Sequence, residues 1–590
     1  MTATHSPSGD TVNKGLKAGA LGLGSAIVIG VASTAPGYSL ASGLGLIAGE
    51  AGKFSPAVLW VAFLPMFFIA AAYKYFNKVD PDCGTTFTWV TRAFGPKTGW
   101  MAGWGVIMAD LIIMPNLAAI SGKYLFLLFG ASDLAENIWA NMFVGILFIL
   151  AMTWICVIGI ELNAETQMAL LGAEAIVLVI FAVVALSKGV VSPELSWLNP
   201  LNIKDEAGSF DWTHFAAAIN VSLFIYWGWD TAVAVNEECA DADKTPGRAA
   251  IISTLILVAT YVIVGFAAIG VRGADFLSNH SDDVLDAAGK EVFGDGIMLK
   301  FLVVAVLTSA AASCQTTILP AARSALSMGV HKALPPKFAE THPRYLTPTF
   351  STWLFGGISI AWYVLLVLVS ETTGSNVLEI SVAGVGLAIA FYYGMTGIAA
   401  VWYFRKYITT NVATFFKVGV SCFLGAAMLL ASFVITIKDD VYPGDGSCAK
   451  TSVALEEASA PVLREGLDDD AITAANETRA LGDLELATDE QKAEAETASK
   501  ELFVDDATEE QIAAYDEAFS SDADCVGTIG GIGLLSIIGL GLLLLGLPIM
   551  LWCKRTIKGR FFDIMPDPAD EIPSPYEGPA PTLGSHLKGK

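Results

Sequence analysis

The chain predicts an all-α membrane protein of twelve transmembrane helices. It is expected to form a 5+5 inverted repeat with discontinuous helices one and six, plus an acidic extracellular insert. Three observations carry that expectation. Hydrophobic residues make up 54% of 590 residues against 16% charged, at a mean hydropathy of +0.57, whereas a soluble domain is less apolar and more charged. Apolar runs of the roughly 20 residues needed to span a bilayer recur along the chain. Two of these runs are interrupted near their middles, at corresponding places in two similar halves.

In order, residues 1–17 are polar and read as a cytoplasmic tail. The apolar run after them is too long for the core of a signal peptide, so it is expected to be an uncleaved first span. Runs starting near 18, 55, 99, 137 and 165 make a first repeat over 18–211. Runs starting near 212, 248, 297, 349 and 377 make a second over 212–410. A further span covers 411–437, the insert 438–527, and a last span 528–553. The stretch 554–590, rich in Pro and Gly from Phe561, reads as a disordered cytoplasmic tail.

Orientation follows from the basic residues of short loops. With the N-terminus inside, Lys74, Lys78, Arg92, Lys97, Lys244, Arg248, Arg405, Lys406, Lys554 and Arg555 all fall on the cytoplasmic side. The opposite loops carry Asp133, Glu136, Asp275, Asp282, Asp283 and Asp286. Both termini are therefore expected in the cytoplasm of a protein of the cell membrane.

The net charge of −24 is concentrated in the insert, where 25 acidic residues face 6 basic ones. Such a block repels nucleic acid, so nucleic acid is excluded as a partner and the lipid bilayer is the expected surroundings of the spans. Cys448 and Cys525 bracket the insert on the outer side, where a disulfide can persist; the alternative is two free thiols. The other six cysteines have no metal-ligand spacing, so no metal site is expected.

The first interruption is Ser33-Thr34-Ala35-Pro36-Gly37 and the second is Tyr226-Trp227-Gly228-Trp229. Proline removes a donor and glycine loosens the helix, which frees main-chain groups in hydrocarbon. Protein or a ligand must satisfy them. At the first break, the amides of Ser33, Thr34, Ala35 and Gly37, together with the two hydroxyls, suit a carboxylate at the positive end of a helix. At the second, carbonyls at Phe224, Ile225, Tyr226 and Trp227 suit an ammonium. An α-amino acid presents both charges. The alternative is two Pro/Gly kinks satisfied within the protein.

Three segments resemble the amino acid–polyamine–organocation (APC) superfamily. Phe224-Ile-Tyr-Trp-Gly228-Trp229-Asp230 is similar to its sixth-helix pattern of aromatic, glycine, aromatic and acid. Lys244-Thr-Pro246-Gly-Arg248 resembles the short basic loop before helix seven, and Arg323 to Pro335 the stretch that ends helix eight. The resemblance implies a LeuT-like fold over spans one to ten, a substrate held between the two breaks, and Phe224 as an outer aromatic gate.

Intramembrane carboxylates are costly and so become site candidates. Asp110 lies near the middle of span three, which lines the cavity in the resembling family; it suits a substrate amine or a structural hydrogen bond, and Asn116 is a further cavity candidate. Glu174 sits mid-span in helix five, where some proton-coupled members carry a lysine, a mechanism that cannot transfer to an acid. It is expected to carry a proton, to bind a cation with Ser309 and Ser313, or to hold a fixed hydrogen bond. Asp230 matches an acid linked to pH dependence in the agmatine-exchanging branch, and helix capping explains it equally well. Glu237 and Glu238 are expected to pair with basic groups of the inner loops.

No phosphate-binding loop and no Ser/His/Asp set occurs, so neither an enzyme nor a bound cofactor is expected. The reading is a secondary active transporter that imports amino acids or small organic amines with protons by alternating access, a sodium ion being the alternative coupling partner. The alternatives are an amino acid or amine exchanger and a transporter-like nutrient sensor.

Overall fold

A computed structural model describes residues 13–441 and 528–576, apart from 205–207, 295, 374–376, 530–531, 558 and 569–570, together with Leu502 and Leu583. The chain divides into two compact units, Met1–Val434 with Ile538–Lys590, and Ile435–Ile537.

In the first unit, α1 (Leu23–Thr34) and α2 (Pro36–Ala51) are followed by α3 (Ser55–Val79), α4 (Thr86–Phe94) and α5 (Pro96–Leu128). Next come α6 (Ser132–Glu136), α7 (Ile138–Ile158), α8 (Ile160–Lys188), α9 (Trp212–Ile225) and α10 (Thr231–Ala234). Then follow α11 (Thr245–Arg272), α12 (Ala274–Ser278), α13 (Val284–Phe293), α14 (Ile297–Val330), α15 (Thr349–Thr373) and α16 (Val377–Tyr403). The short α17 (Arg405–Ile408) and α18 (Val412–Thr414) lead through a π-helical turn into α19 (Ser421–Val441), and α20 (Leu534–Thr556) follows later in the chain.

Ten stretches among the described residues are long and apolar enough to cross a membrane, Leu23–Val79 counting as one although it holds α1 to α3. The shorter apolar helix His214–Ile225 adds to them. The chain is a multi-pass membrane protein. Helices α5 and α14 are buried along most of their length and pack on each other, so they form the centre. On α8, Ile176, Val179 and Val183 form an exposed apolar stripe at helical spacing, the composition a lipid-facing side requires.

The first break forms where Pro36 denies the preceding residue a right-handed helical conformation. Ala35 takes φ 49° and ψ 69°, uncommon for a residue with a side chain, and Pro36 opens α2 at its first position. The second break is a turn between α9 and α10, in which the Trp227 N–H donates to Phe224 O at 2.9 Å and Gly228 has φ 118°.

Some expected boundaries and contents move. The first helix starts at Leu23 and not near 18, because Leu21 pairs as an extended strand with Cys239 and the Leu21 N–H donates to Glu238 O at 3.0 Å. The last helix starts at Leu534 and not at 528. Before it, Thr528–Ile529 and Ile532–Gly533 pair antiparallel, Thr528 opposite Gly533. The composition predicts a disordered tail, but residues 561–568 and 571–576 are anchored by their few aromatic and branched side chains. Phe561 is buried and stacks on Phe87, and Ile564 and Ile572 are buried. The Asp567 carboxylate accepts Arg92 Nη1 at 2.9 Å and the Tyr403 hydroxyl at 3.0 Å. Cys448, Cys525 and nearly all of 438–527 lie outside the described residues.

Candidate functional site

The two breaks meet main chain to main chain. A Cβ built on Gly228 would lie 2.8 Å from both the carbonyl carbon and oxygen of Ser33 and 2.9 Å from the Thr34 nitrogen, so only glycine fits this approach. The Ser33 and Thr231 hydroxyls share a hydrogen bond of 2.8 Å across the junction.

Helices α8 and α14 supply the surroundings of the first break. Glu174, on α8 and 2% exposed, accepts the Gly37 N–H at 2.6 Å and the Ser309 hydroxyl at 2.9 Å, both on Oε1. The Tyr38 N–H donates to Ser309 Oγ at 3.2 Å, and the Ser313 hydroxyl donates to Ser33 O at 2.9 Å. The Thr34 hydroxyl turns back onto Gly30 O at 3.0 Å. The donors expected to receive a substrate carboxylate are thus engaged by the protein itself. The physical cause is the cost of an unpaired N–H away from water, which Glu174 and Ser309 remove.

At the second break, Phe224 O accepts the Trp227 N–H, and Ile225 O accepts the Tyr261 hydroxyl at 2.6 Å. The Tyr226 hydroxyl reaches Leu59 O at 2.9 Å. Phe224 is buried and meets Tyr38 edge-on at 6.4 Å between ring centres. The Tyr38 hydroxyl in turn donates to Asn116 Oδ1 at 2.5 Å. These rings and Asn116 form one wall beside the break.

Asp230 stands at the start of α10, yet its side chain makes no capping bond there. Its Oδ2 accepts the Tyr392 hydroxyl at 3.1 Å, and Trp227 Nε1 donates to that same hydroxyl at 2.5 Å. Trp229 stacks on Tyr393 at 5.2 Å and meets Tyr73 edge-on at 5.1 Å. Asp110, on α5, is buried, and its Oδ2 has no hydrogen-bond partner among the described residues. Ser33 to Gly37, Phe224 to Gly228, Glu174, Ser309 and Ser313 therefore come together. Asp230 belongs to the Trp227–Tyr392 chain leading away from the junction.

Towards the expected inner face, the helices are tied by charge. Arg323 and Glu238 form a buried two-pronged pair at 2.6 and 2.8 Å. Lys14 bonds Asp82 at 2.7 Å and also Glu237, which accepts the Cys83 N–H at 2.9 Å. Asp82 further accepts the Ser327 hydroxyl at 2.7 Å and faces His331 Nε2 at 3.1 Å. Burial alone would raise the Asp82 carboxyl; Lys14 and His331 outweigh it and hold the group well below the usual carboxylate range. Sequence reasoning missed Lys14, Asp82, Thr231 and Tyr261. Thr231 stands one residue past Asp230 and was within reach, but a lysine in a polar leader carries no local sign of burial.

Comparison with known proteins matches this architecture to one family. The profile described as amino acid permease matches residues 16–454. The serine/threonine exchanger SteT of Bacillus subtilis (strain 168) is 24% identical over 53% of this chain and 68% of its own length. The low-affinity putrescine importer PlaP of Escherichia coli (strain K12) is 24% identical over 57% of this chain and 72% of its own. The crystal structure of MhsT in complex with L-phenylalanine is similar at 17% identity and a TM-score of 0.49, over 69% of this chain and 97% of that one. The profile match covers most of the chain, and with SteT and PlaP it makes the protein a member of the amino acid permease family within the APC superfamily.

Proposed function

We propose that this protein is a secondary active transporter that moves an amino acid or small organic amine across the cell membrane by alternating access. In this reading twelve spans form two inverted five-helix repeats, α1–α2 and α9–α10 are the broken first and sixth helices, and both termini are cytoplasmic. The observation that carries it is the junction of Gly228 with Ser33 and Thr34, where the main chains of two interrupted helices meet in direct contact. The names of the relatives, an exchanger of hydroxyl amino acids and an importer of putrescine, support the substrate range. Glu174 bridges α2, α8 and α14, which supports a reading in which it couples flux to a cation: a proton taken by its carboxyl, or a sodium ion shared with Ser309 and Ser313.

The test is uptake into proteoliposomes from a panel of amino acids and amines, with imposed proton or sodium gradients. Gradient-driven accumulation of one or more compounds is expected. Saturable binding without flux under every gradient would favour a sensor and sink the transport reading.

A further inference from the structure

The groups at the two breaks differ in what they have left to offer. An N–H donates once, whereas a carbonyl oxygen has two lone pairs and accepts twice. At the start of α2, Pro36 has no N–H, the Gly37 N–H is given to Glu174 and the Tyr38 N–H to Ser309. The Ala35 N–H closes on Ala32 O at 3.1 Å. These donors at the start of α2 are spent. The carbonyls are not: Ser33 O has accepted Ser313 Oγ, Thr34 O the Ser39 hydroxyl, Phe224 O the Trp227 N–H and Ile225 O the Tyr261 hydroxyl. Each keeps a second lone pair.

A helix N-terminus draws an anion through its free amides and the positive end of its dipole. Here the anion is already part of the chain. We infer that the site takes an amine cation lacking a carboxylate, the decarboxylated counterpart of an amino acid, with Glu174 seated where an amino acid's carboxylate would otherwise bind. An amino acid would have to displace Glu174 from Gly37 or lie beside it with no free N–H of α2 to receive its carboxylate. An ammonium group brings three donors to a junction rich in acceptors. This inference rests on the transport reading and narrows its substrate class.

The experiment uses pairs that differ by one carboxylate: putrescine with ornithine, cadaverine with lysine, and isobutylamine with valine. Each pair is measured by uptake into proteoliposomes and by thermal shift of the purified full-length protein. In the wild type, at least one amine is expected to outcompete its parent amino acid by about tenfold or more, the worth of one charged hydrogen bond. Glu174→Ala frees the Gly37 amide and is expected to narrow that ratio about tenfold, whereas Glu174→Gln keeps an acceptor on the amide and narrows it less. Glu174→Gln also serves as the milder variant should Glu174→Ala not fold, and its smaller narrowing is then the expected result.

Equal or better handling of the amino acid in every pair by the wild type overturns the inference while leaving transport standing. A ratio unmoved by Glu174→Ala overturns the role given to that residue. Amine-selective binding without flux supports the selectivity and sinks the transport reading, and no response to any pair overturns both.

Discussion

Gly228 and Ser33 lie so close that a single methyl group on the glycine would press to 2.8 Å from the serine carbonyl. The contact joins the two interrupted helices at the point where each has released main-chain groups. Gly228→Ala is therefore expected to force the breaks apart and to strain a residue at φ 118°, costing about 1–3 kcal/mol and most uptake. Gly386→Ala, with open space around it, should leave both nearly unchanged. Thermal unfolding of the purified variants beside an uptake assay checks this.

Glu174→Gln keeps the shape of the side chain and an acceptor for Gly37 but cannot carry a charge through a transport cycle. Uptake driven by an imposed proton gradient should fall at least about tenfold while exchange of internal for external substrate persists. Unchanged gradient dependence would remove Glu174 from coupling.

Asp110 keeps one carboxylate oxygen buried and unpaired. Asp110→Asn is expected to lower affinity for diamines by about tenfold and to spare monoamines, the cost of one hydrogen bond to a charged partner. Equal losses across all substrates, read from competition assays, would mark a structural acid instead.

Arg323 and Glu238 are 2% and 0% exposed at their side chains, so either one left alone is an uncompensated buried charge. Arg323→Met alone should destabilise the protein by about 3–5 kcal/mol, and Arg323→Met with Glu238→Gln by clearly less. The order of the unfolding midpoints decides it. A double variant as unstable as the sum of the singles would contradict the pairing.

Asp82 is held below its ordinary value of 3.8 by Lys14 and His331 despite its burial. A depressed carboxyl contributes stability that is present above its unfolded value and is lost as the pH falls through its folded value. Between pH 5 and pH 8 the Asp82 carboxyl stays ionised in both states and does not itself titrate. Asp82→Asn should thus lower the unfolding midpoint by a similar amount across that range and leave the pH profile of uptake in place. A profile that flattens in the variant would make Asp82 the titrating group.

Much of the architecture is readable from local chemistry. Long apolar runs mark the spans, Pro36 next to Ala35 marks the first break, and the pattern around Gly228 marks the second. The pairing of Glu238 with an inner-face cation follows from the expense of burying a lone acid; that the cation is Arg323 does not. The anchored residues 561–568 and 571–576 escaped composition because averaging over Pro and Gly hides single anchors such as Phe561 and Asp567.

By itself the sequence determined where helices must run and where they must stop, since hydropathy and the geometry of proline and glycine act within a few residues. Only the tertiary structure decided which groups quench the exposed main chain: Glu174 reaches Gly37 across 137 positions, and Ser313 reaches Ser33 across 280. Partners so distant are chosen by how helices pack, and that choice turned an expected anion seat into one already filled.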